Sequence, residues 1–368
     1  MNSKKIVAII CGGRSAEHEV SLQSGKSIID ALDREKYDLM IIGIDKQGQW
    51  LIFPQNDFLI NANDPAKISL ATSGNPVAII AGTGENKLYD INNGKYLTTP
   101  DVVFPILHGP FGEDGTMQGL LKLMDLPFVG PSVLGSAVSM DKDIMKKLMD
   151  FAKIPNAEFF TFINRSKNNP SFDTVEKALG MPVFIKPANM GSSVGVSKAN
   201  NKNEFEKYLA LAYQFDHKVI VEKYIKGREI ECAVLGNEQP EASVPGEIVA
   251  HHEFYSYDAK YIDEKGASLL IPAKLDENTQ KRVQSIAIKS FQALNCEGLG
   301  RVDMFITEDD DIFVNEINTL PGFTKISMYP KLWAETGISY KNLISELLAL
   351  AIQRYKKDKA LKTDMTFD

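Results

Sequence analysis

Apolar and polar positions in this chain switch between a strand pattern and a helix pattern. Residues 5–11 form a continuous apolar run broken by Gly12 and Gly13, and residues 19–32 then repeat apolar side chains at helical spacing. Residues 38–44 and 101–107 read as further buried strands, the second running into His108-Gly109-Pro110-Phe111-Gly112-Glu113-Asp114-Gly115. This alternation predicts a mainly parallel, doubly wound α/β sheet, in which ligands meet the loops at the carboxyl ends of the strands. The loops at 11–19 and 108–115 both lie at such ends. The polar stretch 61–95 reads as an insertion or a peripheral hairpin. Beyond it, 182–187, 218–224 and 229–235 are short strand patterns. Residues 340–357 form an amphipathic helix, and 359–368 a frayed tail.

The apolar runs GRVDMFI and DIFVNEI, starting at Gly300 and Asp311, flank the acidic turn from Glu308 to Asp310 and predict a β-hairpin. Side chains alternate faces along a strand, so Asp303 on one strand and Glu316 with Asn318 on the other share one surface. Two carboxylates and an amide oxygen are hard ligands, suited to Mg²⁺ held together with substrate phosphates. Arg301, two residues from Asp303, adds a cation on the same face. The bland alternative is a surface hairpin with solvated charges. Against it, these acids sit within runs apolar enough to be buried, where an unpaired carboxylate is costly.

Composition narrows the function classes. The chain has 368 residues, 44% hydrophobic and 24% charged, as in a globular protein of two or three domains. A net charge of −7 without a basic block argues against nucleic acid and anionic membrane as partners. The apolar run at the start is too short for a signal peptide, and no run reaches membrane-spanning length, so a cytoplasmic location is expected. Cys11, Cys232 and Cys296 are too few and too scattered for a disulfide framework or a zinc knuckle. Cys296 reads as a small core residue, and His251-His252 as structural because neighbours in a strand face opposite sides.

A nucleotide site is legible in the middle of the chain. Gly25-Lys26-Ser27 imitates the end of a Walker A loop, but Val20 replaces its first glycine and the triplet lies in a helix pattern. No GxGxxG follows the first strand either. Lys186, on the strand 182–187, precedes the loop 189–195, whose glycines and hydroxyls let backbone N–H groups approach phosphate oxygens. Such loops are also common as plain turns. Downstream, backbone groups at 225–228 can pair with an adenine edge and Glu229 with ribose hydroxyls. A simple hairpin is the competing reading of 218–235.

Taken together, CGGRSAEHEVS, HGPFGEDGTMQG, SMDK, IKPANMGSSVGVSK, VEKYIKGREI, FYSYDAKY, GRVDMF and VNEINTLPGFT resemble, in order, the D-alanine–D-alanine ligases of the ATP-grasp superfamily. The resemblance runs from Lys5 to about Ala351. It implies an amino-terminal doubly wound Rossmann-like domain over 1–130 and two α+β subdomains clasping ATP. These cover 131–221 and 222–358, with a lid at 252–266. It also implies ATP and two Mg²⁺ (or Mn²⁺) as cofactors, D-alanine as substrate and a homodimer. Lys142 and Lys186 are then expected at the ATP phosphates, and Glu222, Lys223, Tyr224 and Ile225 at the adenine. Glu229 is expected at the ribose, Asn315 within the ATP site and Lys260 at the γ-phosphate. Asp303, Glu316 and Asn318 would hold the metals. Glu17 would take the ammonium of the first D-alanine, with His108 near its carboxylate. Ser192 and Tyr261 would link Glu17 to the lid, where Tyr255 is a packing residue. Arg301 and the N–H of Gly322 would stabilise an oxyanion, and Ser327 with the backbone of Met328 would receive the second substrate's carboxylate. The Lys260-Tyr261 pair implies an amine as nucleophile. The alternative is a relative that joins D-alanine to D-lactate or D-serine.

Overall fold

The computed structural model describes residues 4–54, 57–250 and 267–362. The expectations for His251, His252, Tyr255, Lys260, Tyr261 and the lid at 252–266 lie outside the described residues.

The first part of the chain builds β1 (Lys5–Gly12), α1 (His18–Ala31), β2 (Tyr37–Ile44), β3 (Trp50–Phe53) and the small pair β4 (Leu59–Ile60) and β5 (Ser69–Leu70). It continues with β6 (Asn75–Ile79), β7 (Leu88–Asp90), β8 (Lys95–Tyr96), β9 (Val102–Pro105) and α2 (Thr116–Leu123). Seven of these strands form one sheet, ordered β8-β7-β6-β3-β2-β1-β9. Only β2, β1 and β9 pair in parallel; every other neighbour is antiparallel. The sheet is therefore mixed rather than mainly parallel. The link from β2 to β3 is too short for a crossover, so the chain turns back as a hairpin. The polar stretch 61–95 extends this sheet and contributes the buried residues Val77 and Leu88.

Next come α3 (Val133–Met140), α4 (Lys142–Phe151), β10 (Phe159–Ile163), α5 (Phe172–Leu179), β11 (Val183–Pro187), β12 (Ser197–Ala199), α6 (Lys202–Ala212) and β13 (Lys218–Lys223). Their four-stranded sheet has the order β10-β13-β11-β12. The last part holds β14 (Arg228–Gly236), β15 (Glu241–Ala242), β16 (Gly246–Ala250), β17 (Ala267–Leu270), α7 (Glu277–Ala293), β18 (Gly298–Ile306), β19 (Ile312–Asn318), α8 (Met328–Thr336) and α9 (Tyr340–Lys359). Its sheet is antiparallel, ordered β17-β16-β14-β18-β19, with β15 on β14.

β13 and β14 are consecutive yet belong to different sheets, so 218–235 is not a hairpin. The Tyr224-to-Gly227 link carries the chain from one sheet to the other. β13 ends at Lys223, past the boundary expected at 221/222. Helix α9 also runs beyond 357: Lys359 is its last residue and pairs with Asp125 at 2.9 Å. The first and last parts share one core, in which Val7, Ile9 and Phe104 meet Phe323, Trp333 and Leu347.

Two glycines show why the first glycine turn and the Walker-like triplet are built as they are. Gly12 has φ +95°, and a Cβ there would lie 2.2 Å from the Ile44 carbonyl oxygen, so no other residue can end β1. A Cβ on Gly25 would lie 2.8 Å from the Cys11 Cβ. Gly25 is thus where α1 presses onto β1, a packing role unrelated to phosphate.

Candidate active site

A cleft of about 270 Å³ opens between the four-stranded sheet and the last sheet. Lys142, Lys186, Ser192, Glu222, Lys223, Tyr224, Ile225, Glu229, Asp303, Asn315 and Glu316 line it, all of them residues expected from the sequence. Lys142 is the first residue of α4. Asp141 before it caps that helix by accepting from the N–H groups of Asp143 and Ile144, which fixes the start of the helix and the position of the lysine. The Lys142 ammonium donates to the Met190 carbonyl at 2.8 Å and lies 3.4 Å from Glu316 Oε2. Lys186, on β11, donates to Asn315 Oδ1 at 3.1 Å and pairs with Glu222 Oε1.

Glu222 is buried on β13 and holds two ammonium groups, Lys186 on one oxygen and Lys146 at 3.1 Å on the other. Burial pushes its carboxyl up, but the two lysine charges outweigh that and hold it at about 2. Lys146 was not foreseen. It lies on α4, one turn after Lys142, and burial moves its own ammonium downward. The spacing of four residues on an amphipathic helix was the available signal. Beside Glu222, Phe184, Tyr224, Ile225, Met304, Phe305 and Phe313 make the apolar part of the cleft, with the Phe184 and Tyr224 rings 5.8 Å apart.

The acidic hairpin forms as expected. β18 alternates buried and half-buried residues from Gly300 to Ile306, and Asp303 stands in register with Glu316. The register slips between Asp303 and Met304, leaving Asn315 as an extra residue on β19. This bulge lets the consecutive residues Asn315 and Glu316 both turn toward the cleft lysines, Asn315 to Lys186 and Glu316 to Lys142. Arg301 forks onto Asp303, both contacts at 2.7 Å, and lies 3.0 Å from Glu231 Oε2. The Asn318 amide donates to Asp303 Oδ2 at 2.9 Å, which turns its oxygen away from that carboxylate. Glu231 faces Asp303 across β14 and β18 and was missed, although it follows Glu229 by two residues and so shares its face.

Among the described residues, no three His, Cys, Asp or Glu side chains converge as a metal cage. Two carboxylates and one amide are instead a partial set of hard oxygen donors. Such a set fits a divalent cation whose remaining ligands are phosphate oxygens and water.

Glu17 sits beyond this cleft, immediately before α1, and its carboxylate accepts from the Ser192 hydroxyl across 175 residues of sequence. It is almost fully buried. A Cβ on Gly109 or Gly191 would come within 2.9 or 3.1 Å of Glu17 Oε2, so two glycines make room for it. His108 uses both ring nitrogens on protein groups: Nδ1 lies 2.9 Å from the Leu320 carbonyl oxygen and Nε2 lies 3.2 Å from Ser24 Oγ. Burial lowers its pKa, so the neutral ring donates from Nδ1 and accepts at Nε2. Glu113, in the same loop, is a third unforeseen residue, and burial pushes its carboxyl up to about 8. Ser327 precedes α8, with its hydroxyl about 3 Å from where a Gly322 Cβ would stand, and Met328 begins that helix with its side chain buried. Cys296 is buried and its thiol is pushed up to about 12, in keeping with a core residue.

Two family models match the chain: D-ala D-ala ligase N-terminus over residues 6–131 and D-ala D-ala ligase C-terminus over residues 148–349. The chain belongs to the D-alanine–D-alanine ligase family. It is 56% identical to the D-alanine–D-alanine ligase of Oceanobacillus iheyensis, covering 98% of each chain. To D-alanine–D-alanine ligase A of Escherichia coli it is 52% identical over 98% of this chain and 99% of that one. Among solved structures, the D-alanine–D-alanine ligase from Coxiella burnetii superposes with a TM-score of 0.84 at 36% identity, covering 97% and 98% of the two chains. The VanG D-Ala:D-Ser ligase from Enterococcus faecalis also scores 0.84, at 35% identity and 95% and 100% coverage. The Bacillus anthracis ligase complexed with ATP scores 0.72 at 27% identity, covering 96% and 99%. As a D-alanine–D-alanine ligase family member, the chain has an ATP-grasp fold. No helix among the described residues is long and apolar enough to cross a membrane.

Proposed function

We propose that the cleft and the Glu17 pocket are two halves of one active site, in which the chain uses ATP to join two D-alanines into D-alanyl-D-alanine, releasing ADP and phosphate. The observation that carries this reading is the convergence of Lys142, Lys186, Asp303 and Glu316 on one cleft, together with the buried Glu17–Ser192 pair.

A carboxylate is a poor acyl donor and must first be activated. ATP with two Mg²⁺ (or Mn²⁺) supplies the phosphoryl group that turns the first D-alanine into D-alanyl phosphate. The chain's own residues do the positioning. Lys142 and Lys186 neutralise phosphate charge, and Asp303, Glu316 and Asn318 hold the metals. Glu222, Lys223, Tyr224 and Ile225 line the adenine position, with Asn315 within the ATP site and Glu229 at the ribose. Glu17 receives the ammonium of the first D-alanine. Arg301 and the Gly322 N–H face the negative oxygen that develops when the second amine attacks. Ser327 and the Met328 N–H, at the start of α8, receive the second carboxylate. His108 reaches substrate less directly than its sequence motif implies, because both ring nitrogens contact protein groups. A homodimer, a cytoplasmic location and the division into 1–130, 131–221 and 222–358 belong to the same reading.

The test supplies ATP and Mg²⁺ with D-alanine alone, then with equal D-lactate or D-serine, and identifies products by mass spectrometry. D-Alanyl-D-alanine is expected to dominate at neutral pH and above. Predominance of the ester or of a D-serine product would assign a different second substrate, and ADP release without any dipeptide would remove the ligase reading.

A further inference from the structure

The peptide segment 320–323 carries Gly322 at its centre, and it is gripped mainly from the amino-terminal part of the chain. The Leu320 N–H donates to Glu113 Oε1 at 3.1 Å, across 207 residues of sequence. The second oxygen of Glu113 accepts from the Gly109 N–H at 2.8 Å. The Leu320 carbonyl is held by His108 Nδ1 at 2.9 Å. Ser24 Oγ contacts His108 Nε2 and accepts from the Phe323 N–H at 3.3 Å. On the far side, the Tyr340 hydroxyl donates to the Phe323 carbonyl. These contacts bracket Gly322 on both sides.

We infer that Glu113 is a positioning residue for acyl transfer: it spans two backbone N–H groups and so fixes the 320–323 segment that presents the Gly322 N–H to the developing oxyanion. The inference rests on the function proposed above. The two oxygens of a carboxyl group suit the place. Both contacts are with N–H donors, and an amide in its stead has one oxygen to accept and an NH₂ that would face the other donor. Glu113 lies outside the nucleotide cleft, which is lined instead by Lys142, Lys186 and Glu222. Loss of the grip shifts the segment without touching the nucleotide.

The test compares the parent with Glu113→Gln and with Ser24→Ala, which removes the independent hold on Phe323. Three quantities are measured: kcat for dipeptide formation, the Kd of ADP with Mg²⁺, and the Kd of a phosphinate dipeptide that mimics the tetrahedral centre. Since a displacement of about 1 Å costs on the order of 100-fold, Glu113→Gln is expected to lower kcat by about 10- to 100-fold. Phosphinate affinity should fall by a similar factor, because it reports the same stabilisation, while ADP affinity stays within about twofold. Ser24→Ala should show the same pattern, with kcat and phosphinate affinity lowered and ADP affinity kept, and it decides alone if Glu113→Gln does not fold. A kcat within about threefold of the parent, or ADP affinity lost as much as phosphinate affinity, would overturn the inference. If the parent itself forms no dipeptide, the function proposed above fails first and takes this role with it.

Discussion

Glu316 and His108 are two different kinds of ionisable group in this site. Glu316 faces Asp303 in register, with the Lys142 ammonium 3.4 Å away. Glu316→Gln keeps the shape and removes the charge, so turnover should drop by about 100-fold or more while the fold survives. Thermal melting with ATP and Mg²⁺ checks this without an activity assay, since the variant should show a smaller ligand-induced rise in melting temperature than the parent. His108 behaves differently. Burial depresses its pKa below the ordinary 6.5, so on acidification the unfolded chain takes up a proton that the folded chain resists. Its contribution to stability is therefore intact above the ordinary value and falls as pH drops below it. His108→Asn keeps a donor near the Leu320 carbonyl and does not titrate. The stability gap between parent and variant, followed by urea unfolding at several pH values, should shift toward the variant below pH 6.5. The metal pair was legible because alternation along a strand is a local rule. Glu113 and Ser24 were not weighed, because their partners are backbone groups roughly three hundred residues away in the case of Ser24 and Phe323, and no side-chain pattern announces a backbone donor.

At the level of elements, what misleads in the sequence is adjacency. The runs 218–224 and 229–235 look like the arms of a hairpin, yet β13 pairs with β10 and β11 while β14 pairs with β16 and β18. Strand propensity marks each run, but the choice of sheet depends on which face finds a core. The bulge at Asn315 is hidden for a related reason: only the partner strand reveals that one residue is supernumerary. Contact between α1 and β1 gives a prediction of the opposite kind. Helix propensity favours Gly25→Ala by about 1 kcal/mol. Because the new methyl group would stand 2.8 Å from Cys11 Cβ, overpacking should dominate, and the net change should be a destabilisation of about 1–2 kcal/mol. Chemical denaturation of the two proteins decides between these signs.

Across the whole molecule, one arginine ties the last helix to the segment that follows α2. Arg354, buried on α9, donates to the carbonyls of Phe128 and Gly130 and lies over the Phe128 ring at 4.5 Å. Arg354→Met keeps most of the volume but strands two buried carbonyls, so it should cost about 2–4 kcal/mol, read as a lower melting temperature in the absence of ligand. The sequence showed an amphipathic last helix but not what it grips, since the grip is on backbone. The acidic pair on β18 and β19 has a further consequence, for the chain while it is being made. At about 5–20 residues per second, the ribosome delivers Lys142, Lys186 and Glu222 several seconds before Glu316 and Asn318. A nascent or truncated chain can thus gather the cations of the cleft but not its paired carboxylates. Polypeptides broken off before β19 should be inert debris rather than enzymes that squander ATP.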